Sequence, residues 1–249
     1  MTEHFEIVNN FLGMGEPQNG IWFIGIEEHQ EWKESPEGNI GEYAIYKNNY
    51  CCCQKDQIKD AAKKNGAKYT KIYDVMSKII CGLRGESLTN IDSWKTYRNE
   101  ILLQEGSGIF QTNLFPLGKR SIKKWPTHYN KLFGFGKENI KGYREVVERT
   151  RFEELRNLWN ASVPKATICF GKTHWQDFMK LLGISEGFAN QDDGKILVHE
   201  GKKIILTPFF SYRYQCFNNE RILKVITILK EFKVQYNSPP LCLTTTLAN

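Results

Sequence analysis

At 249 residues, with 41% hydrophobic and 25% charged side chains, the chain can bury one sizeable core, and this composition excludes a disordered protein. Its formal net charge of +6 is a mild bias toward polyanions, too small by itself to name nucleic acid. No apolar run reaches the roughly 20 residues that cross a bilayer, so no membrane partner is expected.

The start, Met1-Thr2-Glu3-His4-Phe5-Glu6, lacks the basic-then-apolar layout of a secretory signal, and a cytoplasmic monomer is expected. The seven cysteines are an odd number in a chain this long, which argues for reduced thiols. Cys51-Cys52-Cys53 invites a metal reading, but three adjacent thiols do not easily converge on one centre and no Cys-x-x-Cys is present. No metal or other cofactor is expected. Walker-type glycine loops and Gly-x-Ser-x-Gly are also absent.

In chain order, residues 3–12 carry Phe5, Val8, Phe11 and Leu12 at the spacing of a short amphipathic helix. Residues 13–20 read as a turn-rich approach to the first strand. Gly20-Ile21-Trp22-Phe23-Ile24-Gly25 is a short apolar run bounded by glycines, the pattern of a strand buried on both faces. It ends abruptly in Ile26-Glu27-Glu28-His29. Residues 31–50 read as loop with one helical turn at most.

Helices are expected over residues 54–65, 70–83 and 90–104. The first is closed by Gly66 as a cap, and the third starts at Asn90 or Asp92. Residues 108–114 read as the second core strand. Residues 119–137 are basic, aromatic and rich in turns. A long charged helix over 143–159, a strand over 166–170, and a helix opened by Gly171-Lys172 follow. A hairpin element over 192–200 turns at Asp193-Gly194, and residues 203–207 form the fourth core strand. An aromatic loop at 208–217 leads to the last helix, 218–232. Alternating strands and helices predict an α/β protein: three α/β/α layers around a central, mostly parallel four-stranded sheet. One domain is expected over residues 1–235, with a loose tail from 236 to 249.

Four strand ends carry the residues of chemical interest: Gly25-Ile26-Glu27-Glu28-His29, Thr112-Asn113-Leu114, Phe170-Gly171-Lys172 and Thr207-Pro208-Phe209-Phe210-Ser211. Their order and spacing over residues 18–232 resemble the uracil-DNA glycosylase superfamily. The resemblance implies a DNA glycosylase: a hydrolase that flips a base out of DNA and cleaves its N-glycosidic bond in DNA repair. It implies base binding by Gly25, Ile26, Asn113 and Phe115. The sequence departs from the pattern in three places. The first loop lacks the proline and second glycine that many members carry. Glu27 stands where the best-known branch has its catalytic aspartate. The fourth loop has no histidine.

The chemistry follows from residue types. Cleaving an N-glycosidic bond develops positive charge on the sugar, which a carboxylate stabilises while it orients water; Glu27 or Glu28 suits this, and His29 is a candidate base or donor. An amide both donates and accepts, as reading a base edge requires, so Asn113 suits that role. The departing base anion needs a donor on the other side, for which Ser211, Tyr212 and Arg213 are the candidates in the fourth loop; the same residues could grip the DNA backbone, and Phe209-Phe210 is either a wedge or core. Lys172 opens a helix, a favourable place for an anion, or is a surface lysine. Lys119-Arg120, with Trp125, Tyr129, Lys131 and Phe133, interleaves cations and rings as a DNA-binding surface does, or is a solvated basic loop. The rival reading is a non-catalytic member that binds nucleic acid or a protein. The missing loop histidine favours it, and the clustered acids of the first loop favour the enzyme.

Overall fold

The computed structural model describes residues 2–27, 31, 49–65, 71–119, 124–210 and 217–236. Helix α1 (Glu3–Asn10) starts at Thr2, whose hydroxyl accepts from the Phe5 amide, and buries Phe5 and Val8. β1 (Gly13–Gly15) and the fully buried β2 (Ile21–Gly25) follow. β3 (Tyr50–Cys51), α2 (Gln57–Asn65), α3 (Lys71–Leu83) and α4 (Ile91–Glu100) lead to β4 (Ile109–Asn113). The Asn90 side chain caps α4 by accepting from the Ser93 amide at 3.2 Å. Next come α5 (Tyr129–Phe133), α6 (Ile140–Arg149), α7 (Arg151–Ser162) and β5 (Ala166–Phe170). A 3-10 turn, Lys172–His174, runs into α8 (Trp175–Leu182). β6 (Ala189–Gln191), β7 (Ile196–His199), β8 (Ile204–Thr207) and α9 (Asn219–Glu231) complete the described chain.

The protein is α/β, but among the described residues its mixed sheet has eight strands, in the order β3-β1-β4-β2-β5-β8-β7-β6, and not the four expected. The four expected strands lie side by side in parallel at its centre, as β4-β2-β5-β8. The additions are at the edges. β1 pairs antiparallel with β4 and parallel with β3, while β6 and β7 extend the other edge as an antiparallel hairpin. β1 is Gly-Met-Gly, with no alternation to read. Its glycines allow close pairing: a Cβ on Gly13 would lie 2.4 Å from the Gln111 carbonyl oxygen, and Gly15 sits at φ +93°.

Period-two alternation divides the core between the two faces of the sheet. Ile21 and Phe23 pack with Met76 and Ile80 of α3 and with Val225 and Leu229 of α9. Trp22 and Ile24 pack with Phe5, Tyr143, Leu155 and Phe178 on the other face. Each fully buried large apolar side chain contributes about 1.5–3 kcal/mol. Phe210 belongs to this core: it is 1% exposed and stacks on Phe170 at 4.3 Å and 11°. Tyr129 and Phe133, from the basic aromatic stretch, are fully buried as well, so their rings present no stacking surface to solvent.

The single helix expected over 143–159 is two helices, α6 and α7, broken at Thr150 (φ −104°, ψ −68°). The Thr150 hydroxyl donates to the Val146 carbonyl, and Arg151 turns inward to 4% exposure. Its guanidinium donates to the carbonyls of Asn9 at 2.8 Å, Phe11 at 2.6 Å and Asn113 at 3.2 Å, and so ties the end of α1 to the end of β4. A continuous helical spacing of residues hides this break, because one of the charges it carries is an interior one.

At the other end of the chain, the Tyr236 hydroxyl bonds the Tyr97 hydroxyl and the Ser107 carbonyl; residues 237–249 lie outside the described residues. Cys52, Cys53, Cys81 and Cys169 are free thiols. Among the described residues no helix is long and apolar enough to cross a membrane.

Candidate active site

Hydrogen bonding between the two central strands continues past their ends. The Leu114 amide donates to the Gly25 carbonyl at 3.0 Å and the Phe115 amide to the Ile26 carbonyl at 2.9 Å. The loop carrying Glu27 is thereby held beside the loop that runs from Phe115 to Lys119. Both ends are crowded. A Cβ on Gly25 would lie 2.4 Å from the Asn113 side-chain oxygen. Gly171, at φ +144°, lets the end of β5 approach Ile26, whose Cδ1 would be 2.5 Å from an added Cβ. That approach brings His174, three residues later, toward the same place.

The result is a cavity of about 470 Å³ at the carboxyl ends of the central strands, lined by Glu27, Phe115, Lys119, Tyr143, Arg144 and His174 among others. Ligands of open α/β sheets bind at this end. Glu27 Oε2 and Lys119 Nζ are 3.1 Å apart, with both side chains under a tenth exposed. The Lys119 ammonium also lies 5.8 Å from the Trp125 ring centre. Phe115 forms an apolar wall, with the Arg144 guanidinium 5.0 Å from its centre and the His174 ring edge-on at 5.8 Å. The Tyr143 hydroxyl accepts from the Leu117 amide at 3.3 Å, and burial pushes its pKa well above the usual phenol value, so it stays protonated. His174 Nδ1 is 2.6 Å from Asp177 Oδ2.

Burial pushes the Glu27 carboxyl above its ordinary range, against the pull of Lys119 and, more weakly, of His174 and Arg144. Glu27 Oε1 is shielded from solvent and has no hydrogen-bond partner among the described residues. An orphaned buried acceptor costs about 1–3 kcal/mol, and more when charged. Because Glu27 also lines the cavity, this oxygen is the one placed to meet a ligand there.

The expected residues divide into three sets. Glu27, Phe115 and Lys119 meet in the cavity, with Gly25 and Ile26 as the backbone behind them; Ile26 turns its side chain into the core. Lys119, expected to hold DNA, pairs with Glu27. Two residues point elsewhere. The Asn113 side chain lies against Gly25 near the Phe170 ring and does not line this cavity. Lys172 donates to the Gly194 carbonyl at 2.9 Å and lies over Trp175. Glu28, His29, Arg120, Ser211, Tyr212 and Arg213 lie outside the described residues. The sequence reading missed Tyr143, Arg144 and His174. Only His174 carried a local signal: it follows the strand-ending glycine by three residues and has Asp177 three residues beyond it.

Residues 34–129 match a family of unknown function, DUF6942. The matched stretch includes Phe115 and Lys119 but neither Glu27 nor His174. No curated protein matches the chain.

Proposed function

We propose that the protein is a DNA glycosylase-like hydrolase that removes a damaged, mismatched or modified base by cleaving its N-glycosidic bond. One observation carries the reading. A buried carboxylate, Glu27, stands at the end of the central parallel strand, its pKa raised, one oxygen held by Lys119 and the other without a partner among the described residues. A general base works best with its pKa near the working pH, and a raised carboxyl approaches that condition. Glu27 positions water through Oε1 and stabilises the cationic sugar in the transition state. Lys119 offsets part of the burial that disfavours the carboxylate. Phe115 offers a flat face to a flipped base, and Arg144 offers a cation to phosphate.

The resemblance to the uracil-DNA glycosylase superfamily supports this reading, because its four motif-bearing strand ends belong to the four adjacent parallel strands. The position of Asn113, outside the cavity, favours the alternative of a non-catalytic nucleic-acid-binding member.

The test is incubation with oligonucleotides carrying uracil, hypoxanthine, mismatched thymine or modified cytosine, followed by alkaline cleavage of abasic sites. Breaks with at least one base are expected, and Glu27→Gln should lower their rate by about 10²–10⁴-fold. DNA binding without breaks on any substrate leaves only the non-catalytic reading. Breaks that survive Glu27→Gln remove Glu27 from the mechanism.

A further inference from the structure

We infer that His174 is the proton donor to the departing base and that Asp177 is the positioning residue that orients it. This assignment rests on the glycosylase reading above. A base leaving with the bonding electron pair is a strong base, so its departure needs a donor across the sugar from the water-activating carboxylate. The fourth loop, where the resemblance calls for a histidine, has none. The end of β5 supplies an imidazole instead.

His174 is 5% exposed, yet it lines the same cavity as Glu27. An ionised carboxylate can only accept, so the 2.6 Å contact with Asp177 Oδ2 assigns the Nδ1 proton as donor there. Nε2 remains as the nitrogen that can carry a proton to a ligand; among the described residues it has no hydrogen-bond partner. Phe115 braces the ring edge-on. Glu27 and His174 stand on loops from β2 and β5, neighbouring parallel strands, and both line the one cavity. Among the described residues, Asp177 contacts the imidazole, and Glu27, Lys119, Lys141, Arg144 and Glu145 share its cavity. Glu148 lines the same cavity but is engaged by Lys180.

The step balances as follows. Water oxygen bonds to the anomeric carbon as the carbon–nitrogen bond breaks with its electrons passing to the base. The His174 Nε2 proton moves to the base, and the water proton moves to Glu27. Proton exchange with solvent then returns Glu27 to its carboxylate and His174 to its protonated form. One water is consumed, and a free base and an abasic sugar are released.

The full-length protein is assayed on oligonucleotides carrying uracil or 5-fluorouracil at one position, or the cut base and its fluorinated analogue if another base is the substrate. The fluorinated anion is the weaker base and needs less protonation. His174→Gln should lower kcat by about 100-fold or more on the unsubstituted base and by less than about 10-fold on the fluorinated one, with KM nearly unchanged. Asp177→Asn, the milder variant, should lower kcat more on the unsubstituted base than on the fluorinated one, because the imidazole loses the partner that orients its Nε2. Equal losses on both bases in either variant overturn the role of His174 while leaving the glycosylase reading in place. No cleavage of any base by the wild-type protein overturns both.

Discussion

Replacing Lys119 with Met isolates the electrostatic core of the site. Two unit charges 3.1 Å apart attract by about 5 kcal/mol at an effective dielectric of about 20. Breaking a buried ion pair from one side costs about 3–5 kcal/mol, because the abandoned charge stays desolvated. Both figures assume that Glu27 is ionised, so the effect must depend on pH. Burial holds the folded Glu27 pKa above its unfolded value, so the folded state binds more protons than the unfolded chain. Stability therefore falls as pH rises from the unfolded carboxylate value through the folded one. Lys119 limits this loss, and its removal widens it. Lys119→Met should lose about 3–5 kcal/mol in urea unfolding near pH 8. Near pH 4, where the carboxyl is neutral, the loss should shrink toward zero, because the variant no longer buries an ammonium beside an uncharged acid. The double variant Glu27→Gln/Lys119→Met should lose less near pH 8 than Lys119→Met alone. A pH-independent loss, or strict additivity of the two changes, would refute the coupling.

Arg151→Met should destabilise the protein by about 3 kcal/mol or more, since it removes the buried donor that reaches the Asn9, Phe11 and Asn113 carbonyls together. Thermal unfolding measures it, and a loss under about 1 kcal/mol would mean that solvent satisfies those groups. Gly171→Ala imposes a side chain at φ +144° and within 2.5 Å of Ile26 Cδ1. It should cost about 1–3 kcal/mol and reduce turnover more than Glu27-independent DNA binding, by shifting His174. Unchanged turnover after a confirmed loss of stability would detach the β5 loop from catalysis.

The parallel centre of the sheet was legible in the sequence because buried strands are short, continuously apolar and glycine-bounded. β5, Ala166–Phe170, matches its expected limits to the residue, and β2 and β8 match within one. The α4 cap at Asn90 was legible for a similar reason: capping is a local hydrogen bond. The β6–β7 hairpin was legible in part, from its turn at Asp193-Gly194, but the strands of the other edge were not. β1 and β3 are three and two residues long, and their pairing depends on how closely distant backbones approach, which no period encodes. The split between α6 and α7 was equally hidden, because it depends on where Arg151 finds its carbonyl acceptors.

For the site, the sequence by itself determined that acids follow β2 and that Phe115 follows β4, since both sit at the ends of recognisable apolar runs. Tertiary structure alone decided which groups face Glu27. Lys119, Tyr143, Arg144 and His174 come from a loop, from α6 and from the turn after β5, far apart in the chain. Their charge looks like ordinary surface charge until folding excludes water between them. Burial then turns a nearby lysine into an ion-pair partner, raises a carboxyl and leaves one oxygen without a partner among the described residues.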